Sequence, residues 1–254
     1  MNMPVYGVKS KEISRILALP IIGWRHFTGR YLGRWYQGGR MLRTEYRYCM
    51  QGLRDEQLDR FVVTYTDIML ADGYPCSTVN PRYVDWLVEE LSALESSELN
   101  CENTVEKITL LVAEIECYPG KASIAFVVSD EHQYHYSTLG DTRIYWPQQN
   151  SRTLVHSVSQ LAVLRGECPS EKIRYYPYRN RLMRHTGAGL KHRLEWQNRP
   201  LLKNELMVFC SDGLWSQVDN SHLYNVSNSE DLARLVQSLD MVPSPDNISI
   251  VILA

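Results

Sequence analysis

The stretch FCSDGLWSQV, Phe209 to Val218, is the most informative in the sequence, because an apolar run ends there in Ser211, Asp212 and Gly213. The run LMVFC predicts a buried strand, and the glycine allows close backbone approach at its end. A carboxylate at a strand end suits a hard divalent cation. The same Asp could instead open a turn or cap the next helix. The rest of the chain decides between these interpretations.

Three further Asp residues stand at the ends of predicted strands. Asp59 precedes FVVTY, Asp72 with Gly73 closes IMLA, and Asp246 opens ISIVIL. Each has a turn explanation of its own, but sheet edges that face the same way would bring all four carboxylates to one rim. Ligands that are all oxygen match magnesium or manganese rather than zinc.

Such a rim suggests chemistry on phosphorus. Two ions that share a carboxylate can activate a water for in-line attack on a phosphoryl group. An arginine nearby would hold the phosphate by paired hydrogen bonds, and Arg54, five residues before Asp59, is placed to do so.

The order of elements predicts an α+β fold. Alternating apolar and β-branched runs predict strands at 45–50, 60–66, 68–71, 123–128, 133–139, 143–146, 205–210 and 248–253. Helical spacing predicts two helices within 81–115 and a third at 229–239. Helices would therefore pack outside antiparallel sheets.

The first part of the chain differs in charge from the rest. Residues 1–47 hold nine Lys or Arg against two Glu, which leaves −9 for the remainder. We interpret residues 1–45 as a basic, aromatic-rich arm and residues 46–254 as one domain. The arm suits an acidic partner, nucleic acid or an anionic lipid surface, but it could equally fold back on the acidic body.

Cysteine usage and hydropathy indicate a cytoplasmic protein with no transmembrane segment. The six cysteines are far apart and form no C-x-x-C pair, which argues against a zinc site or a disulfide scaffold. The apolar stretch from Ile16 to Trp24 contains Pro20 and is too short to span a bilayer.

Six segments together resemble the motifs of a known enzyme family. They are CMQGLRDEQLD, IMLADG, STLGDTRIYW, RNRLMRHTG, ELMVFCSDGLW and PDNISIVIL. In order and approximate spacing they are similar to the metal-dependent protein phosphatases of the protein phosphatase 2C family. The resemblance covers roughly residues 46–254. It implies a four-layer sandwich of two antiparallel β-sheets flanked by α-helices, and two Mn²⁺ or Mg²⁺ ions at one end. It further implies hydrolysis of phosphoserine and phosphothreonine in proteins by a metal-activated water.

The resemblance also implies roles for particular residues. Asp72 would bridge the two ions, and Arg54, Asp72 and Asp212 would form the catalytic set. Asp141, in Gly-Asp-Thr-Arg, would order a strand turn. A phosphorylated protein substrate and a cognate serine/threonine kinase are the implied signalling partners. The implied metal ligands are Asp59, Asp72, the carbonyl of Gly73, Asp212 and Asp246.

Two departures from the family pattern keep a second hypothesis open. Leu58 stands where an acidic residue should precede Asp59, and Tyr74-Pro75-Cys76 replaces a glycine-rich loop beside the metals. The chain is therefore predicted to be an active phosphatase or, alternatively, a weak or inactive phosphatase-fold protein that acts as a regulatory binding module.

Histidines and a basic cluster admit two interpretations each. His156 and His185 could act as an acid or touch substrate, although a structural role is the simpler interpretation. A basic cluster could admit a phosphorylated, acidic segment, or it could be a solvated loop. Its members are Arg174, Arg179, Arg181, Arg184, Lys191, His192 and Arg193.

Overall fold

The structure is a computed structural model that describes residues 42–63, 67–73, 82–94, 100–113, 120–187, 192–239 and 244–254. The predicted arm lies outside these ranges apart from its last four residues. Thr44 and Glu45 already belong to the first strand. The segment Tyr74-Pro75-Cys76 also lies outside the described residues.

The strands of the described residues form two antiparallel sheets. One sheet has the order β1-β11-β10-β6-β7, and the other has the order β2-β3-β4-β5-β9, with β8 paired to β4. The strands are β1 Thr44–Met50, β2 Arg60–Val63, β3 Asp67–Gly73, β4 Lys121–Ser129, β5 Gln133–Leu139, β6 Arg143–Trp146, β7 Ser151–Arg152, β8 Thr186–Gly187, β9 Gln197–Pro200, β10 Met207–Cys210 and β11 Ile248–Leu253.

Helices cover both outer faces of this sandwich. Segments of 3₁₀-helix lie at Pro147–Gln149 and Ser170–Tyr175. The α-helices are α1 Arg82–Ala93, α2 Cys101–Ala113, α3 Val158–Leu164, α4 Asp212–Trp215, α5 Asn220–Tyr224 and α6 Ser229–Leu239.

Side-chain alternation along the strands builds three apolar layers, since successive residues point to opposite faces. In β3, Ile68 and Leu70 join the layer between the sheets, together with Phe209 and Val251. Met69, from the other face of β3, packs in the layer under α1 and α2. The β1-β11-β10-β6-β7 sheet packs its outer face on α4, α5 and α6. The predicted α+β, four-layer sandwich is therefore confirmed.

Several predicted boundaries coincide with those of the structure. Strands 133–139, 143–146 and 248–253 and the helix 229–239 match residue for residue. The strand predicted at 205–210 begins at Met207, where its backbone pairing with β11 starts opposite Leu253. Helix α2 begins earlier than its apolar spacing suggested, at Cys101, where the Asn100 side chain accepts a hydrogen bond from Asn103 N.

None of the helices among the described residues combines the length and the apolar character needed to cross a bilayer.

Candidate active site

The four predicted Asp residues meet at one end of the sandwich. Antiparallel pairing sets the start of β2 beside the end of β3, with Arg60 opposite Ala71. It likewise sets the end of β10 beside the start of β11, with Cys210 opposite Ile250. Face-to-face packing of the sheets then brings the carboxylates of both strand pairs together, and we call them the acidic rim. Its members are Asp59, Asp72, Asp212 and Asp246.

Asp72, the penultimate residue of β3, occupies the middle of the acidic rim. After burial, the charges of Asp59 and Asp212 are the largest influences on the pKa of its carboxyl group. Gly73 follows it, half-buried and paired with Ala122 of β4. The residue that the resemblance makes the bridging ligand is thus strongly affected by the charges of two other members.

Burial and mutual repulsion raise the pKa of the carboxyl groups in the acidic rim. Burial, as the main cause, raises the pKa of Asp59 to about 6. Burial, followed by the charges of Asp141 and Asp246, raises the pKa of Asp212 to about 8. The pKa of Asp72 lies well above its usual range because of burial and the charges of Asp59 and Asp212. Without a cation, this cluster therefore resists full ionisation.

Asp59 is the most deeply buried member of the acidic rim. The residue is only 2% exposed. Both of its carboxylate oxygens are buried and have no hydrogen-bond partner of good geometry. The hydroxyls of Ser211 and Ser249 lie close enough to offset part of the rise in its pKa. A buried carboxylate with unmet acceptor capacity is costly unless something positive binds it.

Two arginines approach the acidic rim from different parts of the chain. Arg54 donates from Nε and Nη2 to the two carboxylate oxygens of Asp246, both at 2.7 Å. Arg179 places Nη1 3.6 Å from Asp212 Oδ2. Arg54, predicted to hold a phosphate, thus reaches the rim, and here its paired donors hold a carboxylate instead.

Asn247 fixes the loop that carries Arg54. Its side chain is buried, accepts a hydrogen bond from Leu58 N at 2.9 Å, and donates to the carbonyls of Gln51 and Glu56 at 2.7 and 3.0 Å. The turn into this loop needs a glycine, since Gly52 has φ +63° and a Cβ there would meet Asp246 O at 2.4 Å. The Asp-Asn pair before β11 therefore supplies a rim carboxylate and holds the Arg54 loop.

The segment after β10 packs tightly beneath the acidic rim. A Cβ on Gly213 would lie 1.8 Å from the carbonyl of Asn247, so only glycine lets α4 start here. Trp215 of α4 donates from Nε1 to Asp141 O at 2.8 Å. Asp141 is also held by Ser123, whose hydroxyl donates to Oδ1 at 2.7 Å. These contacts agree with a structural role for Asp141, whose charge also bears on Asp72 and Asp212.

Leu58 is buried beside Asp59, in the position where the resemblance predicts an acidic residue. In the described part of the chain, no group of three or more His, Cys, Asp or Glu side chains has an arrangement that could hold a metal ion as it stands. The ion pair between Arg54 and Asp246 agrees with the lack of a preformed metal site among the described residues, because it occupies both oxygens of one rim carboxylate. The donor chemistry nevertheless fits Mn²⁺ or Mg²⁺, since the rim offers only oxygen and Asp59 has unmet acceptors.

The two candidate histidines make their hydrogen-bonding contacts with residues outside the acidic rim. His156 Nδ1 accepts a hydrogen bond from Gly140 N at 3.2 Å, and burial followed by the charge of Arg184 lowers its pKa. Burial also lowers the pKa of His185, whose Nδ1 contacts Thr186 O at 3.1 Å. Both are neutral at neutral pH, in agreement with the structural interpretation.

Sequence reasoning did not foresee the pairings of Arg179 and Arg54 with rim carboxylates. It placed Arg179 only in a basic cluster, and no spacing in the sequence signals contact with Asp212. The role of Asn247 in holding the 51–58 loop was also missed, although its position after Asp246 in a buried strand start is a usable signal.

Comparison with known proteins gives matches in structure only. No protein-family model and no curated protein sequence matches the chain. Stp1, a serine/threonine phosphatase from Staphylococcus aureus, is 20% identical with a TM-score of 0.68, covering 88% of this chain and 99% of that one. PppA, a regulatory component of T6SS in Pseudomonas aeruginosa, is 17% identical with a TM-score of 0.71, covering 85% and 98%.

A third similar structure holds metal. It is the catalytic domain of the serine/threonine protein phosphatase PstP in complex with two manganese ions, 18% identical with a TM-score of 0.66, covering 84% of this chain and 97% of that one. The described architecture is thus the fold of these phosphatases, and the predicted resemblance to the protein phosphatase 2C family is confirmed at the level of the fold.

Proposed function

We propose that this chain is a Mn²⁺- or Mg²⁺-dependent serine/threonine protein phosphatase. One observation carries the proposal: four strand ends deliver Asp residues to a single rim, where burial and repulsion raise the pKa of Asp59, Asp72 and Asp212. A structural role alone gives no reason to gather these charges. The shared fold with serine/threonine phosphatases, one of which holds two manganese ions, supports the same conclusion.

The rim residues are suited to hold divalent cations. Asp72, the central member of the rim, would be a ligand, and the carbonyl of Gly73 would add another. Asp59, Asp212 and Asp246 would complete the set. Once bound, the ions would lower the pKa of a coordinated water and so supply the nucleophile for attack on phosphorus.

Arg54 would position the phosphorylated side chain. Its guanidinium is half exposed, and its two donors are already parallel on the carboxylate of Asp246. That fork geometry also matches two oxygens of a phosphate. Substrate binding would therefore transfer Arg54 from Asp246 to the phosphoryl group.

The proposed setting is cytoplasmic signalling. The substrate would be a protein phosphorylated by a serine/threonine kinase, and the arm would dock an acidic partner or an anionic surface. Free thiols support a reducing compartment: the four cysteines of the described residues, Cys49, Cys101, Cys168 and Cys210, form no disulfide.

Hydrolysis assays test the proposal directly. The purified protein is stripped with chelator and assayed on para-nitrophenyl phosphate and on a phosphothreonine peptide, with and without Mn²⁺. We expect turnover that requires Mn²⁺ and is lost in the Asp72→Ala/Asp212→Ala double variant. The matched control is Asp55→Ala, which removes an exposed carboxylate outside the rim. A wild-type rate no higher than that of the double variant would refute the enzyme and favour the binding-module alternative.

A further inference from the structure

Two arginines share the outer face of the β1-β11-β10-β6-β7 sheet, and we call them the arginine pair. Arg143 is the first residue of β6, and Arg152 is the last residue of β7, where it is paired with Tyr145. Tyr145 packs in the outer apolar layer, whereas Ile144 and Trp146 pack between the sheets. Since alternate residues of a strand point to the same face, Arg143 also lies on the outer face, and so does Arg152 opposite Tyr145.

The arginine pair has no acidic partner among the described residues. Arg143 is only 1% exposed, and Arg152 is half-buried. Neither forms an ion pair with an Asp or Glu of the described chain. Burial, followed by the charge of Arg143, lowers the pKa of Arg152, so the two cations repel each other. An arginine keeps its charge inside a protein, and a buried charge without a counter-charge is costly.

The groups that contact Arg143 are all neutral. Its Nη1 atom donates to the Tyr145 hydroxyl at 2.9 Å and to Asn220 Oδ1 at 3.3 Å. Burial, as the main cause, raises the pKa of Tyr145 to about 12, so its phenol is uncharged at neutral pH. The guanidinium also lies over the Trp215 ring, 3.6 Å from the centroid. Its Nε and Nη2 atoms are buried and have no hydrogen-bond partner, so two donors of a buried cation are unmet.

We propose that the arginine pair binds a small inorganic anion of the size of chloride, between β6, β7 and α5. The ion would accept hydrogen bonds from Nε and Nη2 of Arg143 and would offset the combined charge of the pair. A monatomic ion fits better than a carboxylate on another protein, because both unmet nitrogens are buried. Arg152 and Asn220 are only half-buried, so they mark the side from which the ion would enter.

The proposed anion site lies beneath the helix that starts at the acidic rim. Helix α4 begins at Asp212 and ends at Trp215, the residue on which Arg143 stacks. Trp215 also donates from Nε1 to Asp141 O at 2.8 Å. An anion that offsets the charge of the arginine pair would therefore stabilise the packing of α4 and α5 on the sheet. This role requires neither metal nor turnover and goes beyond the proposed function.

The dependence of stability on chloride tests the site. The full chain is unfolded in urea at constant ionic strength, with chloride replacing gluconate, which is too large to enter. A bound ion should lower the unfolding equilibrium constant about tenfold for each tenfold rise in chloride above Kd. The variant Arg152→Met removes the half-buried member of the pair and leaves the buried one in place. We expect its Kd for chloride to rise about 10- to 100-fold.

Arg199→Met is the matched control. Arg199 is also half-buried and lies over a tryptophan ring, 4.1 Å from the centroid of Trp146, but it belongs to β9 in the other sheet. Its response to chloride should equal that of the wild type. Equal responses in Arg152→Met and Arg199→Met would overturn the proposal, and so would a wild type whose stability does not depend on chloride.

A crystal of the wild-type chain grown in bromide gives a second measurement that needs no variant. Anomalous diffraction at the bromine edge should show a peak within hydrogen-bonding distance of Arg143 Nε or Nη2. Bromide peaks elsewhere on the protein, with none at the arginine pair, would contradict the proposal.

Discussion

Replacement of Asp212 by Asn should stabilise the protein when no divalent cation is present. Asp212 is buried among carboxylates, and burial followed by the charges of Asp141 and Asp246 raises its pKa to about 8. An amide of nearly the same shape removes the charge. A substitution at the centre of the site is therefore expected to raise the free energy of unfolding of the metal-free protein.

The magnitude follows from the pKa of Asp212. The folded-state pKa lies above the ordinary Asp value of 3.8, so over this pH range the folded protein holds a proton that the unfolded chain releases. The resulting stability is fully present below about pH 4 and is lost as the pH rises toward about 8. The total loss by about pH 8 is on the order of 5 kcal/mol. Unpaired amide donors would cost the variant about 1–3 kcal/mol. The net gain should be about 2–4 kcal/mol near pH 8, and near pH 4 the variant should instead be about 1–3 kcal/mol less stable than the wild type.

Urea denaturation in chelator checks this at both pH values. The matched control is Asp55→Asn, an exposed carboxylate outside the acidic rim, which should change the free energy of unfolding by less than about 0.5 kcal/mol. Addition of Mn²⁺ should reverse the order, because the cation stabilises the wild type and not a variant that lacks a ligand.

The reasoning would be refuted by a variant that matches Asp55→Asn near both pH values. A gain equal at both pH values would also refute it, since repulsion between ionised carboxylates must fade as they protonate.

Three further substitutions extend the account. Leu58→Glu should tighten Mn²⁺ binding roughly 10-fold, because it restores an acidic residue beside Asp59. Calorimetry that shows unchanged affinity would contradict the view that Leu58 weakens metal binding. Arg54→Ala should raise KM for a phosphopeptide about 10- to 100-fold, and an unaltered KM would exclude a phosphate contact. Asn247→Ala should lower the free energy of unfolding by about 2–4 kcal/mol in urea titrations, because it strips three hydrogen bonds from the 51–58 loop. A loss no larger than that of Asn225→Ala, an exposed position, would contradict that role.

Much of the fold could be predicted because strand periodicity and strand ends depend on residues that are close together in the sequence. Alternation in β5 and the continuous apolar run of β11 placed both strands residue for residue, and four Asp residues at strand ends predicted a common rim. The prediction worked because antiparallel pairing sets the end of one strand beside the start of the next. Metal ligation by these residues stays a prediction.

What could not be predicted depends on contacts far apart in the sequence. The pairing of Arg54 with Asp246 joins residues 192 positions apart, and that of Arg179 with Asp212 joins a turn to a strand end. Local patterns carry no information about such pairs. Strands β7 and β8 have two residues each. Segments this short show no periodicity from which a strand could be predicted.

The most direct test of the central claim is anomalous diffraction at the manganese edge from a crystal of the whole chain grown with Mn²⁺. The account predicts two anomalous peaks at the acidic rim, with Asp72 between them and Asp212 and Asp246 among their ligands. A crystal saturated with Mn²⁺ that shows no peak at the rim, with Arg54 still on Asp246, would contradict it.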